Sequence, residues 1–159
     1  MDQPLAVILI GSKADLEHAT KISDACKSFG IDTVIRIGSA HKTAEHVLRI
    51  LNEYESDARP KVYISVAGRS NALSGFTDGA VSAPVIACPP ISEAFGGADI
   101  YSSLRMTSGI APAVVLDPAN AALLAAKIFG VANAEVREQV KASQKRAAEK
   151  IIADDASVQ

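Results

Sequence analysis

The sequence predicts an α/β protein: a three-layer αβα sandwich around a parallel sheet of flavodoxin- or Rossmann-like type, with an additional C-terminal helix. Three observations predict it. Short, continuous apolar runs alternate with segments of helical period, and unbroken apolar runs are what strands covered on both faces look like. The strand–helix units repeat at a spacing that suits right-handed crossovers between parallel strands. Finally, three of the runs open directly into Gly-led polar clusters, and open α/β sheets gather their ligands at the carboxyl ends of strands.

In chain order, strands are expected at 5–10, 33–37, 62–67, 85–88 and 113–116. Between the first two, Leu16, Ala19, Ile22, Cys26 and Phe29 recur at three- and four-residue steps, a helix that stops at Gly30. The second helix places Ala44, Val47, Leu48, Leu51 and Tyr54 on one stripe. Residues 71–81 form a weaker helix, in which Gly75 and Gly79 permit close approach of a neighbouring backbone. Asp117-Pro118 opens a helix over 121–129, with Pro near its first turn. That helix is Ala- and Leu-rich nearly all round, which calls for burial, inside the subunit or against another. A charged helix over 134–152 has Val136, Val140, Ala147 and Ile151 as its apolar seam, and the residues after Asp154 are expected to fray. The stretch 89–110, with Pro89-Pro90 and Gly96-Gly97, breaks the alternation and is read as one wall of a site. No linker or repeat divides 1–159, so one domain is expected, its core at about 5–130.

Composition narrows the function. A net charge of −2 argues against a nucleic-acid footprint, which needs a basic face. Aromatic content of 4% without Trp removes the stacking platforms that single strands need. No run approaches the eighteen or so apolar residues of a membrane span. Cys26 and Cys88 offer neither a disulfide framework nor a CxxC pair, so reduced thiols in a cytoplasmic protein are the expectation. No His, Cys, Asp or Glu group has metal-ligand spacing, and no metal or cofactor is assigned.

The chemistry is in the three clusters. In Gly11-Ser12-Lys13-Ala14-Asp15, Gly11 permits the strand-to-helix turn and the following helix N-terminus offers N–H groups to a phosphate. Ser12 can bind a phosphate oxygen and Asp15 can accept from ribose hydroxyls. The Ser-x-x-Asp spacing is also that of a capping box, the better reading for this cluster taken alone. Neither a Walker loop nor a GxGxxG fingerprint is present. In Gly38-Ser39-Ala40-His41-Lys42, an imidazole stands at a strand end between hydroxyl residues and beside a cation. His41 is suited to general acid–base work and Lys42 to neutralising a phosphate, while Ser39 adds a hydroxyl. An incidental surface His is the competing reading. Gly68-Arg69-Ser70-Asn71 supplies backbone groups, an amide and a second cation to a planar heterocycle or carboxylate. His18 and His46 fall inside helices and read as ordinary helix residues. Cys88 reads as structural, because Pro89 and Pro90 deny it backbone N–H partners, and no GxSxG nucleophile elbow exists.

Gly11-Ser12-Lys13-x-Asp15, Ser39-Ala40-His41-Lys42 and Ala121-Ala122-Leu123-Leu124-Ala125-Ala126 resemble the phosphoribosylaminoimidazole carboxylase and carboxyaminoimidazole ribonucleotide mutase family of purine biosynthesis, over roughly residues 5–129. The resemblance is to the direct-CO2 (class II) branch. Lys42 stands where the mutase branch carries Arg, and Ala72 where it carries His; Ala87-Cys88-Pro89-Pro90 and the run from Ala98 to Met106 also fit the carboxylase. Thr107 departs from the expected Pro, and Ala14 removes a hydroxyl common in the mutase.

The resemblance implies reversible carboxylation of 5-aminoimidazole ribonucleotide (AIR) by CO2 to carboxyaminoimidazole ribonucleotide (CAIR), without a cofactor. The N5-carboxyaminoimidazole ribonucleotide mutase is the alternative, and a non-catalytic phosphosugar- or nucleotide-binding regulator a distant one. It further implies that Ser12, Ser39 and Lys42 contact phosphate, Asp15 the ribose, and His41 the transferred proton. Gly68, Ser70 and Asn71 would border imidazole and CO2, with Arg69 in the same binding loop. A homo-oligomer, octamer or tetramer, is expected.

Overall fold

A computed structural model describes residues 3–159. Five parallel strands, β1 (Leu5–Ile10), β2 (Asp32–Ile37), β3 (Lys61–Val66), β4 (Val85–Ala87) and β5 (Ala113–Val114), lie in the order β2-β1-β3-β4-β5. The chain reverses its direction of travel across the sheet between β1 and β3, so the loops leaving these two neighbours diverge and leave a crevice at their carboxyl ends. Among the described residues there are six helices: α1 (Leu16–Lys27), α2 (Ala44–Glu55), α3 (Leu73–Asp78), α4 (Tyr101–Leu104), α5 (Pro118–Gly130) and α6 (Ala134–Ala156).

Successive strand residues point to opposite faces, and the core divides accordingly. Ala6, Ile8, Ile10, Val62, Ile64, Val66 and Ile86 pack with α1, α5 and α6. Leu5, Val7, Leu9, Tyr63 and Val85 pack with the α2 and α3 side. β1 is buried along its whole length, the physical reason its sequence shows no alternation. β2, an edge strand, is half-buried and leaves Ile37 exposed. Fully burying a side chain such as Ile64 or Leu51 contributes roughly 1.5–3 kcal/mol, so this two-sided core dominates the stability.

Several expected details are corrected. The first helix ends at Lys27, and Gly30 closes the following turn with φ +75°. Leu16 and Leu48, expected on buried stripes, are exposed, and Ile50 takes the inward position on α2. The weak helix contracts to α3, six residues long. A Cβ on Gly75 or Gly79 would meet the side chains of Met106 and Ile110, at 3.1 Å each, rather than a backbone from another element. The fifth strand keeps only two residues.

Helix α5 begins with Asp117 accepting from the Asn120 N–H, as its Asp-Pro start requires. It is buried by α1 and α6 of the same chain. Helix α6 runs through Ala156, beyond the expected fraying point. Only the first half of its seam is used: Val136 and Val140 are buried, while Ala147 is exposed and Ile151 is 68% exposed. The irregular 89–110 stretch resolves into two single 3-10 turns, Glu93–Phe95 and Ala98–Ile100, followed by α4.

Candidate active site

The polar clusters meet. A cleft of about 500 Å³ lies at the carboxyl ends of the strands, lined from the β1 loop by Gly11, Ser12 and Asp15, from the β2 loop by Ser39, His41 and Lys42, and from the β3 loop by Gly68, Arg69 and Ser70. The Gly11 N–H donates to the Val66 carbonyl at 3.0 Å, and the Gly38 N–H to the Ile10 carbonyl at 3.0 Å. The ladders therefore extend one residue past each strand, and the loops splay only beyond that point. This is what sets the three clusters around one opening.

Within the first loop, the Asp15 carboxylate accepts from the Ser12 N–H at 3.2 Å and from the Ser12 hydroxyl at 3.3 Å. The capping reading and the ligand reading are thus compatible: Asp15 fixes the turn and still faces the cleft. The second loop is a tight turn closed by the Thr43 N–H on the Ser39 carbonyl, 2.8 Å, with the Thr43 hydroxyl oxygen accepting from the Ser39 N–H, 2.9 Å. The Ser39 oxygen accepts from the Lys42 N–H at 3.2 Å, which leaves the Ser39 proton able to donate outward. His41 and Lys42 are both exposed and follow one another at the mouth, just before the N-terminus of α2.

The third loop approaches the 89–110 stretch so closely that a Cβ on Gly68 would lie 2.8 Å from the Pro90 carbonyl oxygen. Arg69 has φ +61°, the single non-glycine residue in the left-handed region among the described residues. Asn71 does not join the others. It is buried, its amide donating to the hydroxyls of Ser74 and Ser103 at 3.0 Å each, and its carbonyl accepting from the Ser74 N–H. A buried amide spends its hydrogen-bonding capacity where partners are available, so Asn71 shapes the loop behind the cleft and lies outside its lining.

The stretch 89–110, expected as one wall of a site, supplies Pro90, Ile91 and Ser92 to the lining, residues not named individually from the sequence. The only signal was the break in alternation after Cys88. Cys88, His18 and His46 all lie outside the cleft lining. Cys88 is buried, and burial pushes its thiol up to about 12, with Asp117 adding to the effect; such a thiol is inert near neutrality. His18 is more than an incidental helix residue: its Nε2 lies 3.4 Å from the Cys88 sulfur, and burial lowers its imidazole from the usual value. His46 is exposed on α2.

Fold and cleft together define an α/β protein with a polar crevice at the β1/β3 switch point. The AIR carboxylase family model matches residues 5–150, and the chain belongs to that family. It is similar to the phosphoribosylaminoimidazole carboxylase of Treponema denticola, 60% identical over 156 residues and 98% of each chain. The corresponding carboxylase of Archaeoglobus fulgidus is 58% identical over 135 residues, 85% of this chain and 74% of that one. The bifunctional carboxylase/succinocarboxamide synthetase of Mus musculus is 47% identical over 137 residues, 86% of this chain but 32% of its own. The crystal structure of Treponema denticola PurE superposes with a TM-score of 0.97 at 59% identity, covering 99% of both chains.

Proposed function

We infer that this chain is a phosphoribosylaminoimidazole carboxylase, converting AIR and CO2 reversibly to CAIR in purine biosynthesis. The observation that carries this is full-length identity of 60% to a protein of that name, combined with a cleft where the expected polar loops converge. The mutase alternative is not favoured: the relatives bear the carboxylase name, and Lys42 and Ala72 stand where the mutase branch would carry Arg and His.

The roles follow from chemistry that the cleft can perform. The phosphate end of AIR docks at Lys42, the Ser39 hydroxyl and the Ser12 hydroxyl, which turns from Asp15 to donate to it, and the ribose hydroxyls donate to Asp15. The imidazole lies against Gly68 and Ser70, with Arg69 beside it. AIR is an enamine. The electron pair of its ring carbon attacks the CO2 carbon, one C–O π pair moves onto oxygen, and the ring carbon becomes tetrahedral and still bears its hydrogen. His41 removes that proton, and its C–H pair restores the aromatic ring. In reverse, His41 returns the proton to the same carbon and CO2 departs. The protein supplies orientation and one acid–base group, both recognised sources of rate.

The chain acts as a cytoplasmic homo-oligomer in this reading, with one catalytic domain per subunit. Val131, just after α5, and Ile151 and Ile152, on the outer half of α6, are exposed apolar residues available for assembly. The decisive experiment follows CAIR formation from AIR with and without bicarbonate. His41→Asn should bind AIR but turn it over about 10²–10⁴-fold more slowly. A bicarbonate-independent wild-type reaction, or full activity in His41→Asn, would overturn the respective part of the reading.

A further inference from the structure

The loop carrying Arg69 and Ser70 is held by a carboxylate absent from the cleft lining. Asp99, in the turn before α4, accepts on Oδ2 from the Arg69 N–H and from the Ser92 N–H, each at 3.2 Å. Its backbone carbonyl accepts from the Ser102 hydroxyl at 2.7 Å, and the Ser102 oxygen accepts in turn from the Asn71 N–H at 2.9 Å. One residue thus ties the β3 loop to the segment after β4, and both of these line the cleft.

Arg69 needs such a tie. Left-handed backbone costs any residue with a Cβ free energy and persists only where surroundings hold it. Hydrogen bonds to a carboxylate are roughly twice as strong as neutral ones. On the other side, the backbone at Gly68 is already seated against Pro90. The other carboxylate oxygen, Oδ1, is buried and has no partner among the described residues, so the work of the side chain falls to Oδ2.

We propose that Asp99 is a positioning residue of the carboxylating cleft: by accepting from both Arg69 and Ser92, it fixes the β3 loop against the segment after β4, two adjoining parts of the cleft lining. This rests on the carboxylase reading for its substrate, but the tie itself is a property of the fold.

The test compares wild type, Asp99→Ala and Asp99→Asn, reading amide hydrogen exchange at Arg69 and Ser92 beside AIR carboxylation. In the wild type both amides should be protected although Arg69 is exposed. Asp99→Ala should speed both by about tenfold, the size of one lost hydrogen bond. It should also lower kcat/KM for AIR by about 10–100-fold, chiefly through kcat, as misplacement of a cleft wall would. Asp99→Asn keeps a carbonyl oxygen for the same two N–H groups but loses the charge, and should recover part of both losses, leaving each readout between wild type and Asp99→Ala.

Three results would overturn the proposal: unprotected amides in the wild type, Asp99→Asn as impaired as Asp99→Ala, or Asp99→Ala turning over AIR like wild type. If Asp99→Ala fails to fold, the wild-type exchange and the Asp99→Asn variant still decide. A wild-type protein that makes no CAIR while the exchange contrast persists would sink the carboxylase reading and leave the tie standing.

Discussion

Gly68→Ala gives the sharpest test of how the cleft is built. The added methyl would stand 2.8 Å from the Pro90 carbonyl oxygen and 3.3 Å from its Cγ. An ordinary contact begins at 3.4 Å, so the two segments must separate by 3.4 − 2.8, about 0.6 Å. Neither side yields cheaply. Pro90 follows Pro89, its oxygen is backbone, and Ser92 two residues on is bound to Asp99. Overpacking of this kind costs about 1–3 kcal/mol. For a chain of this length that corresponds to a loss of roughly 2–12 °C in Tm. The same displacement moves Arg69 and Ser70 away from Ile91 and Ser92. If misplacement by 1 Å costs about 10²-fold, 0.6 Å costs on the order of tenfold in kcat/KM. Calorimetry and a CAIR assay measure the two effects separately. Gly11→Ala is the stability control, since its methyl would meet nothing closer than Ala67 Cβ at 3.7 Å, and its Tm should not fall. If Gly68→Ala melts with the wild type and keeps its kcat/KM, the close approach to Pro90 does not shape the cleft.

Lys42→Ala should raise KM for AIR with less effect on kcat, because a phosphate contact far from the reacting carbon is made equally in ground and transition states; an unchanged KM would remove Lys42 from the phosphate. Stability should also carry the signature of His18. Burial holds its imidazole below the ordinary 6.5, so the unfolded chain takes up that proton first. Unfolding free energy from His18 is therefore intact above about pH 6.5, falls as pH drops from there toward the lower folded value, and is flat below it. Urea titrations at pH 5 and 7.5 should show a smaller difference for His18→Gln than for wild type. Equal differences would mean that burial does not hold the ring below its ordinary value.

How much of this was legible beforehand depended on whether the signal was local. The strand ends were: β1 and β3 are continuous apolar runs because both faces are covered, and each leads into a polar cluster. Nine of the ten residues nominated from the three clusters line one cleft. Asn71 is the one outside the lining, because Ser103, thirty-two residues away, claims its amide, and no local pattern shows that. Asp99 was passed over for the same reason: its partners Arg69 and Ser92 are brought to it only by the fold. That only the first half of the α6 seam is covered was not legible, because helical period reports which face is apolar, not whether anything covers it.

The sequence by itself determined the layers, the parallel sheet, the inert placement of Cys88 and the kind of chemistry the loops could perform, since each depends on residue type and short-range spacing. Only the tertiary structure decided the strand order that opens the crevice between β1 and β3, the closeness of Gly68 to Pro90, and which polar groups turn inward. Those outcomes rest on contacts between segments distant in the chain. Their geometry is fixed when the two faces of the sheet are packed, because buried polar groups must then find partners wherever the packed backbone places them.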